Sequence, residues 1–132
     1  MKYILDTDTI IYFLKGQPIV VEHLAKINPK EITTTIINQT ELLFGAFNST
    51  KKKQNLERIE SFLEKIHIAP FCKAASYIFA EKKALLKKKG PIVADLDLMI
   101  ASIALCHQSI LVTNNVKHFA KISSLEIENW SI

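Results

Sequence analysis

Along the chain, short β-branched or aliphatic runs alternate with longer stretches whose apolar positions recur at helical spacing. Lys2–Leu5 (KYIL) has the character of a short buried strand, and Asp6 stops it. Thr7 or Asp8 is placed to cap a helix through Leu14, closed by Gly16 and Pro18. Apolar residues at 20, 21, 24, 25 and 27 make a helical stripe over Ile19–Ile27, ended by Asn28-Pro29. Glu31–Thr35 (EITTT) predicts a second strand, after which Asn38 or Thr40 starts a helix reaching Ser49. Leu56, Ile59, Phe62, Leu63 and Ile66 predict a long amphipathic helix from about Lys51 to Ile66, with a Lys/Glu-rich outer face. His67–Phe71 reads as a short third strand and Ala74–Lys89 as a helix ending before Gly90-Pro91. Asp95–His107 is helical again, Ile110–Thr113 (ILVT) is a fourth strand, and Leu125–Ile127 is a fifth. Strands alternating with helices imply a parallel sheet covered on both faces, hence a three-layer α/β/α arrangement of four or five strands. No repeat or linker interrupts it, so residues 1–132 form one α/β domain.

Composition changes this picture little. At 48% hydrophobic and 23% charged residues, the chain has ordinary globular composition, which argues against disorder. The net charge is +4, and Arg58 is the one basic residue that is not lysine. That excess suits a polyanionic partner but is shared by many ordinary proteins. Cys72 and Cys106 lack metal-ligand spacing and read as buried free thiols, which favours a reducing compartment. Met1–Leu14 is apolar enough to suggest a signal peptide, but Asp6 and Asp8 would fall inside its hydrophobic region. No stretch has the uninterrupted length of a membrane span. The expectation is a soluble, cytoplasmic protein.

The acidic residues carry more information. The chain has four aspartates, all in two Asp-x-Asp pairs, Asp6/Asp8 and Asp95/Asp97, each where an extended segment gives way to a helix. Glu41 follows the second strand and Asn115 follows the fourth. If the strands are parallel and adjacent, their carboxyl ends bring Asp6, Glu41, Asp97 and Asn115 toward one crevice. Two carboxylates ~4 Å apart repel by about 1 kcal/mol in bulk water and about 4 kcal/mol at an effective dielectric of ~20. Several together protonate, splay apart or bind a cation, and Mg²⁺ or Mn²⁺ prefers such oxygen ligands. Taken singly, Asp8 and Asp95 also read as helix N-caps worth ~1 kcal/mol each, and Glu41 as a surface residue.

Four blocks of the chain resemble those of PIN-domain ribonucleases, specifically the small VapC toxins of toxin–antitoxin modules. YILDTDTIIYFLKG is similar to the family's opening, with Asp6 at its first acid. TIINQTELLFGA matches the second block, with Glu41 as the acid and Gly45 as its following glycine. GPIVADLDLMIASIAL places Asp97 at the principal acid, and LVTNNVKHF places Thr113 and Asn115 beside the metal. The closing LEIENW resembles the family's tail. Each block is weak alone; the four in this order and spacing are specific. Three positions depart from the pattern. Asp8 stands where the family often has asparagine, the fourth acidic position is Asn115, and Asp95 is an additional acid given a supporting role.

The resemblance implies a PIN fold and a metal-dependent endoribonuclease, with Mg²⁺ or Mn²⁺ held by Asp6, Glu41 and Asp97. Water activated by the metal attacks in line and leaves a 5′-phosphate, with Asp97 also orienting that water. It further implies a homodimer, inhibition by a VapB-type antitoxin inserting a helix near the pocket, and operator DNA contacted only through that antitoxin. The region of Ile19–Ile27 and Asn38–Ser49 receives the antitoxin in the family, where Phe44 or Phe47 would line a groove if neither is core. Lys51, Lys52 and Lys53, with Lys87, Lys88 and Lys89, are candidates for guiding RNA phosphates, or are solvated helix ends. His23, His67, His107 and His118 show no ligand spacing and are left outside the site. Two other functions compete. YILDTDTI also approaches the opening of haloacid-dehalogenase-like phosphatases, with Asp6 as nucleophile and Asp8 as general acid. A catalytically silent PIN-like module binding RNA or protein is the other.

Overall fold

Five short strands pair in parallel, in the order β3-β2-β1-β4-β5. They are β1 (Tyr3–Leu5), β2 (Ile32–Thr35), β3 (His67–Ala69), β4 (Ile110–Val112) and β5 (Ile127–Glu128) in a computed structural model that describes residues 1–132. β1 is the central strand, with Ile4 opposite Thr33 on one side and Leu111 on the other. From β1 the chain works outward through β2 and β3, then returns to lay β4 on the opposite side of β1. This reversal creates a switch point between β1 and β4, where the carboxyl ends of parallel strands leave a crevice.

The connecting helices are α1 (Thr7–Leu14), α2 (Pro18–Ala25), α3 (Ile36–Phe47) and α4 (Lys52–Leu63) before β3, then α5 (Lys73–Lys89), α6 (Asp95–Cys106) and α7 (Val116–Phe119). They cover both faces of the sheet because strand side chains alternate between faces. Ile4 and Leu111 enter one core with Leu98, Ile100, Ile103 and Phe119. Their neighbours Leu5 and Val112 enter the other, with Ile10, Leu42, Ile59 and Trp130.

Several boundaries differ from the sequence expectation for local reasons. Neither Thr7 nor Asp8 caps α1: Asp6 does, accepting from the Thr7 amide. α3 starts at Ile36, ahead of Asn38 or Thr40, because the Thr35 hydroxyl accepts from the Ile37 and Asn38 amides. Asp95 is the first residue of α6, and Ala94 occupies the cap. β5 lies slightly later than expected, and the single-turn helix α7 is an element the sequence pattern does not predict. α5 ends at Gly90, whose φ of 98° favours glycine, with Lys87–Lys89 in the last turn where the helix dipole favours cations. Cys72 and Cys106 are half-buried rather than buried, free, and 3.8 Å apart at sulfur.

Because Leu111 is wholly buried on the strand beside β1, Leu111→Ala is expected to cost roughly 2–5 kcal/mol in a urea unfolding experiment. A loss below about 1 kcal/mol would show that this face of the sheet is not the core described.

Candidate active site

The carboxyl ends of β1, β2 and β4 deliver polar side chains to one crevice. Asp6, directly after β1, is 7% exposed. Its Oδ1 accepts from the Thr7 amide at 2.9 Å and from Asn38 Nδ2 at 3.0 Å, while Oδ2 accepts from Thr113 Oγ1 at 2.7 Å. The Asp6 amide itself donates to Val112 O, tying the residue to the end of β4. Asn38 is wholly buried in the first turn of α3, and the Thr35 hydroxyl donates to its Oδ1 at 2.7 Å. That bond turns the Asn38 amide toward Asp6 and the Thr7 hydroxyl. Thr7 Oγ1 donates in turn to Glu41 Oε1 at 2.6 Å. Asn38 and Glu41 are three residues apart on α3, so they share a face.

Asp8 joins this network from the other side. Its Oδ2 accepts from the Asn114 amide at 3.1 Å and lies 3.3 Å from Thr113 Oγ1, whose proton is directed at Asp6. The Asn115 amide donates to Thr113 Oγ1 at 3.0 Å, and its side chain makes no capping bond to α7. Thr113, wholly buried, is therefore the link between the loop after β4 and the two aspartates.

Electrostatics set Asp6 apart. Burial, then the neighbouring Asp8 carboxylate, pushes its pKa from the usual 3.8 to about 6, against the opposing hydrogen bonds from Thr113 and Thr7. Glu41 adds a smaller rise. The crevice is a place where a carboxylate keeps its charge only at a cost.

Asp97 is in the first turn of α6, outside this hydrogen-bond network. Its Oδ2 lies 2.7 Å from His118 Nε2 on α7, with both side chains 26% exposed. The ring nitrogen has no partner in hydrogen-bond geometry, so this is a contact of proximity rather than a directed bond. Asp95 pairs with Lys83 at 2.8 Å on the exposed side of α6, and no hydrogen bond or ion pair links it to the cluster. Lys51–Lys53 and Lys87–Lys89 are exposed at the start of α4 and the end of α5.

Three residues of the site are not singled out by the sequence. Thr7 reads there only as a cap, Asn38 only as a helix start, and His118 as a residue outside the site. The available signal is spacing: Asn38 falls one turn before Glu41, and His118 falls three residues after Asn115.

The donors of the cluster suit a hard divalent cation: carboxylates of Asp6, Asp8 and Glu41, with Asp6 desolvated and crowded by like charge, while Asp97 lies apart beside His118. No three His, Cys, Asp or Glu side chains converge at ligand distance as they stand. The fit is therefore to an ion taking one or two carboxylates and filling its shell with water, as Mg²⁺ commonly does. Beside the cluster, a groove of about 310 Å³ runs between α1, α3 and α4, with Ile11, Leu14, Leu42 and Ile59 in its walls and Glu41 and Arg58 on its lining. Phe44 and Phe47 are 67% and 57% exposed, so they are not core residues, and they lie outside this groove's lining.

A family model for the PIN domain matches residues 3–125. The chain belongs to the PIN-domain family. A ribonuclease VapC2 from Rickettsia felis is 36% identical to this PIN domain over 134 residues, with 98% of each chain covered. A tRNA(fMet)-specific endonuclease VapC from Shigella flexneri is 31% identical over 131 residues, with 99% of each covered. Among solved structures, VapBC2 from Rickettsia felis bound to a DNA fragment from their promoter contains a chain 36% identical with a TM-score of 0.88, covering 98% of this chain and 99% of that one. VapC nucleases with this domain are generally divalent-metal dependent. Family membership also removes the phosphatase reading, in which Glu41 had no role. No helix of the PIN domain is long and apolar enough to cross a membrane.

The raised Asp6 pKa has a definite sign. The folded protein binds the Asp6 proton more tightly than the unfolded chain, so Asp6 lowers stability as pH rises from about 4 to about 6, and the full cost applies above that. At full effect this is on the order of 3 kcal/mol. Asp6→Asn is therefore expected to make the metal-free protein more stable at pH 8 and to change it little at pH 4. Urea unfolding at both pH values checks this, and equal effects at the two would contradict it.

Proposed function

We propose that this chain is a divalent-metal-dependent endoribonuclease, the toxin of a type II toxin–antitoxin pair, which cleaves tRNA or another structured RNA. The observation that carries this reading is the desolvated Asp6 carboxylate, ringed by Thr7, Asn38 and Thr113 and crowded by Asp8 and Glu41 at the switch-point crevice. Such a site is stable in its ionised form when positive charge arrives, and a phosphodiester held by a cation brings chemistry to the same place. The RNA specificity of the Rickettsia felis and Shigella flexneri relatives supports the substrate class.

Asp6, Glu41 and Asp97 would hold Mg²⁺ or Mn²⁺, one or two of them directly and the rest through the ion's waters, with Asp8 contributing charge. When bound, the ion supplies Lewis acidity against the phosphate oxygens and makes water easier to deprotonate. The chain's own part is positional. Asn38 and Thr113 hold the Asp6 oxygens and Thr7 holds Glu41; Asp97 would orient the attacking water, as the resemblance implies. Products carrying 5′-phosphates follow from in-line attack in the sense expected of the family.

The partner would be a VapB-type antitoxin, consistent with the VapBC2 assembly on promoter DNA, and DNA would be contacted through that partner. The groove between α1, α3 and α4 suits an apolar helix, and Glu41 on its lining suits an incoming basic side chain. Exposed Phe44, Phe47 and Tyr77 leave apolar surface for a homodimer or the antitoxin. A cytoplasmic location follows from the substrate.

The two lysine runs differ. Lys87–Lys89 sit at a helix C-terminus, where the dipole stabilises them; Lys51–Lys53 sit at the start of α4, where it does not. A role in binding RNA phosphates accounts for Lys51–Lys53 where helix stability does not. Replacing these three by glutamine is expected to weaken RNA binding and to flatten its salt dependence by about 0.7 in log–log slope for each phosphate no longer neutralised. Filter binding across a salt series measures this, and an unchanged slope would remove the run from the substrate path.

The decisive experiment incubates the purified, antitoxin-free protein and its Asp97→Asn variant with total RNA in Mg²⁺, Mn²⁺ or EDTA, mapping 5′-phosphate ends. Discrete cuts are expected with metal, lost in EDTA and reduced at least ~100-fold in the variant. Cleavage unaffected by Asp97→Asn would sink the assignment, and metal-independent binding without cleavage would favour a silent RNA-binding module.

A further inference from the structure

The last residues of the chain make contacts that the functions above do not use. β5 pairs with the end of β4, and the Thr113 amide donates to Glu128 O at 2.9 Å. Trp130 is then 1% exposed: its Nε1 donates to Glu128 Oε1 at 2.8 Å, its ring stacks on His23 at 4.3 Å, and it meets the edge of Tyr3 at 5.1 Å. The residues flanking this buried anchor turn toward the loop after β4. Asn129 Nδ2 donates to Asn114 Oδ1 at 3.1 Å. Ser131 Oγ lies 3.0 Å from the same oxygen and 2.6 Å from Asn129 Oδ1, so its one proton serves either acceptor. The Ser131 amide closes the turn onto Asn129 Oδ1 at 2.9 Å.

Asn114 stands between this tail and the acidic cluster. Its side-chain amide faces Tyr12 Oη at 3.4 Å, and its backbone amide donates to Asp8 Oδ2. It shares the loop with Thr113, which donates to Asp6, and with Asn115, whose amide supports Thr113. We propose that Asn129 is a positioning residue: anchored by Trp130, it grips the Asn114 side chain and so aims the Asn114 amide at Asp8 and the Thr113 hydroxyl at Asp6.

The physical case rests on what the loop lacks. Asn114 and Asn115 are exposed, so no packing holds their peptide planes. The peptide joining Thr113 to Asn114 cannot rotate without loss, since turning the Asn114 amide away from Asp8 removes that carboxylate's one backbone donor. Each tail bond is solvent-exposed and weak alone, but both start from a turn fixed beside a buried tryptophan, so little further ordering is needed to make them. Outer partners of metal-binding carboxylates typically shift affinity or activity by about 10–100-fold when removed. The consequence for catalysis rests on the nuclease reading; the brace itself does not.

The test compares Asn129→Ala, Asn129→Asp, Asn114→Ala and the Asn114→Ala/Asn129→Ala double variant in the full chain. Asn129→Asp keeps the size and the acceptor for Ser131 but has no amide proton for Asn114, so it separates the grip from mere packing. In metal-free protein, hydrogen exchange at the Asn114 backbone amide should quicken about tenfold in both Asn129 variants, while Trp130 fluorescence stays native. Mn²⁺ titration should show affinity lower by about tenfold, and RNA cleavage should lose kcat with KM little changed. The double variant should be no worse than the poorer single one, because both remove one linkage. Unchanged Asn114 exchange and Mn²⁺ affinity in Asn129→Asp, or fully additive losses in the double variant, would overturn the proposal. Should the native protein cut no RNA, the nuclease reading fails while exchange and Mn²⁺ binding still decide the brace.

Discussion

The structure depends on keeping a carboxylate at the end of its central strand. Asp6 follows β1, flanked by β2 and β4, so it is desolvated by the same packing that makes β1 the core of the sheet. Three donors from three separate segments converge on it: the Thr7 amide at the start of α1, Asn38 on α3 and Thr113 after β4. Each of those segments is held in turn by a local device. Asp6 caps α1, Thr35 caps α3 and fixes Asn38, and the Thr113 amide is held by β5. Fold and site are thus one arrangement of hydrogen bonds.

Magnitudes say which effect wins. Hydrogen bonds to a carboxylate ordinarily lower its pKa, and Asp6 has three, yet burial and the Asp8 charge still carry it up to about 6. Neutral donors fix the oxygens in place without cancelling their charge. What the crevice lacks is positive charge, and no lysine or arginine is bonded to Asp6, Asp8 or Glu41. Lys15 and Arg58 share a groove lining with Glu41, but the basic side chains in direct contact with acids are His118, at Asp97, and Lys83, at Asp95. A preformed lysine partner would occupy the space a cation and its water shell need.

Much of this was legible in the chain. Strand–helix alternation implied the three layers, and two Asp-x-Asp pairs at strand–helix junctions pointed to the switch point. The parts that were not legible depend on which of several neighbours a polar side chain selects. Asp6 rather than Thr7 or Asp8 caps α1 because its carboxylate is already fixed by Asn38 and Thr113, 32 and 107 residues away in the chain. Asp95 and Asp97 look equivalent in sequence, but two helical residues apart they point roughly 200° from one another, so one meets Lys83 and the other His118. Phe44 and Phe47 read more readily as core than as groove lining, but α3 turns Leu42 and Ala46 inward instead.

Two departures from the family pattern are related by the geometry. Asn115 is neutral where the resemblance leads one to expect an acid, and Asp8 is acidic where asparagine is common. Asp8 reaches across to the loop that carries Asn115, with its Oδ2 against the Asn114 amide and near Thr113 Oγ1. Asp8 therefore sets a carboxylate beside that loop, carried on the helix after β1. This placement has an electrostatic consequence. Two aspartates now sit two residues apart at the start of α1, and Asp8 is the largest influence on Asp6 after burial itself. A carboxylate on a separate loop can swing away from a like charge, whereas Asp8 is carried on the first turn of the helix that Asp6 caps. Repulsion that the loop arrangement could relax is here built into the helix, which leaves a cation as the effective means of relieving it.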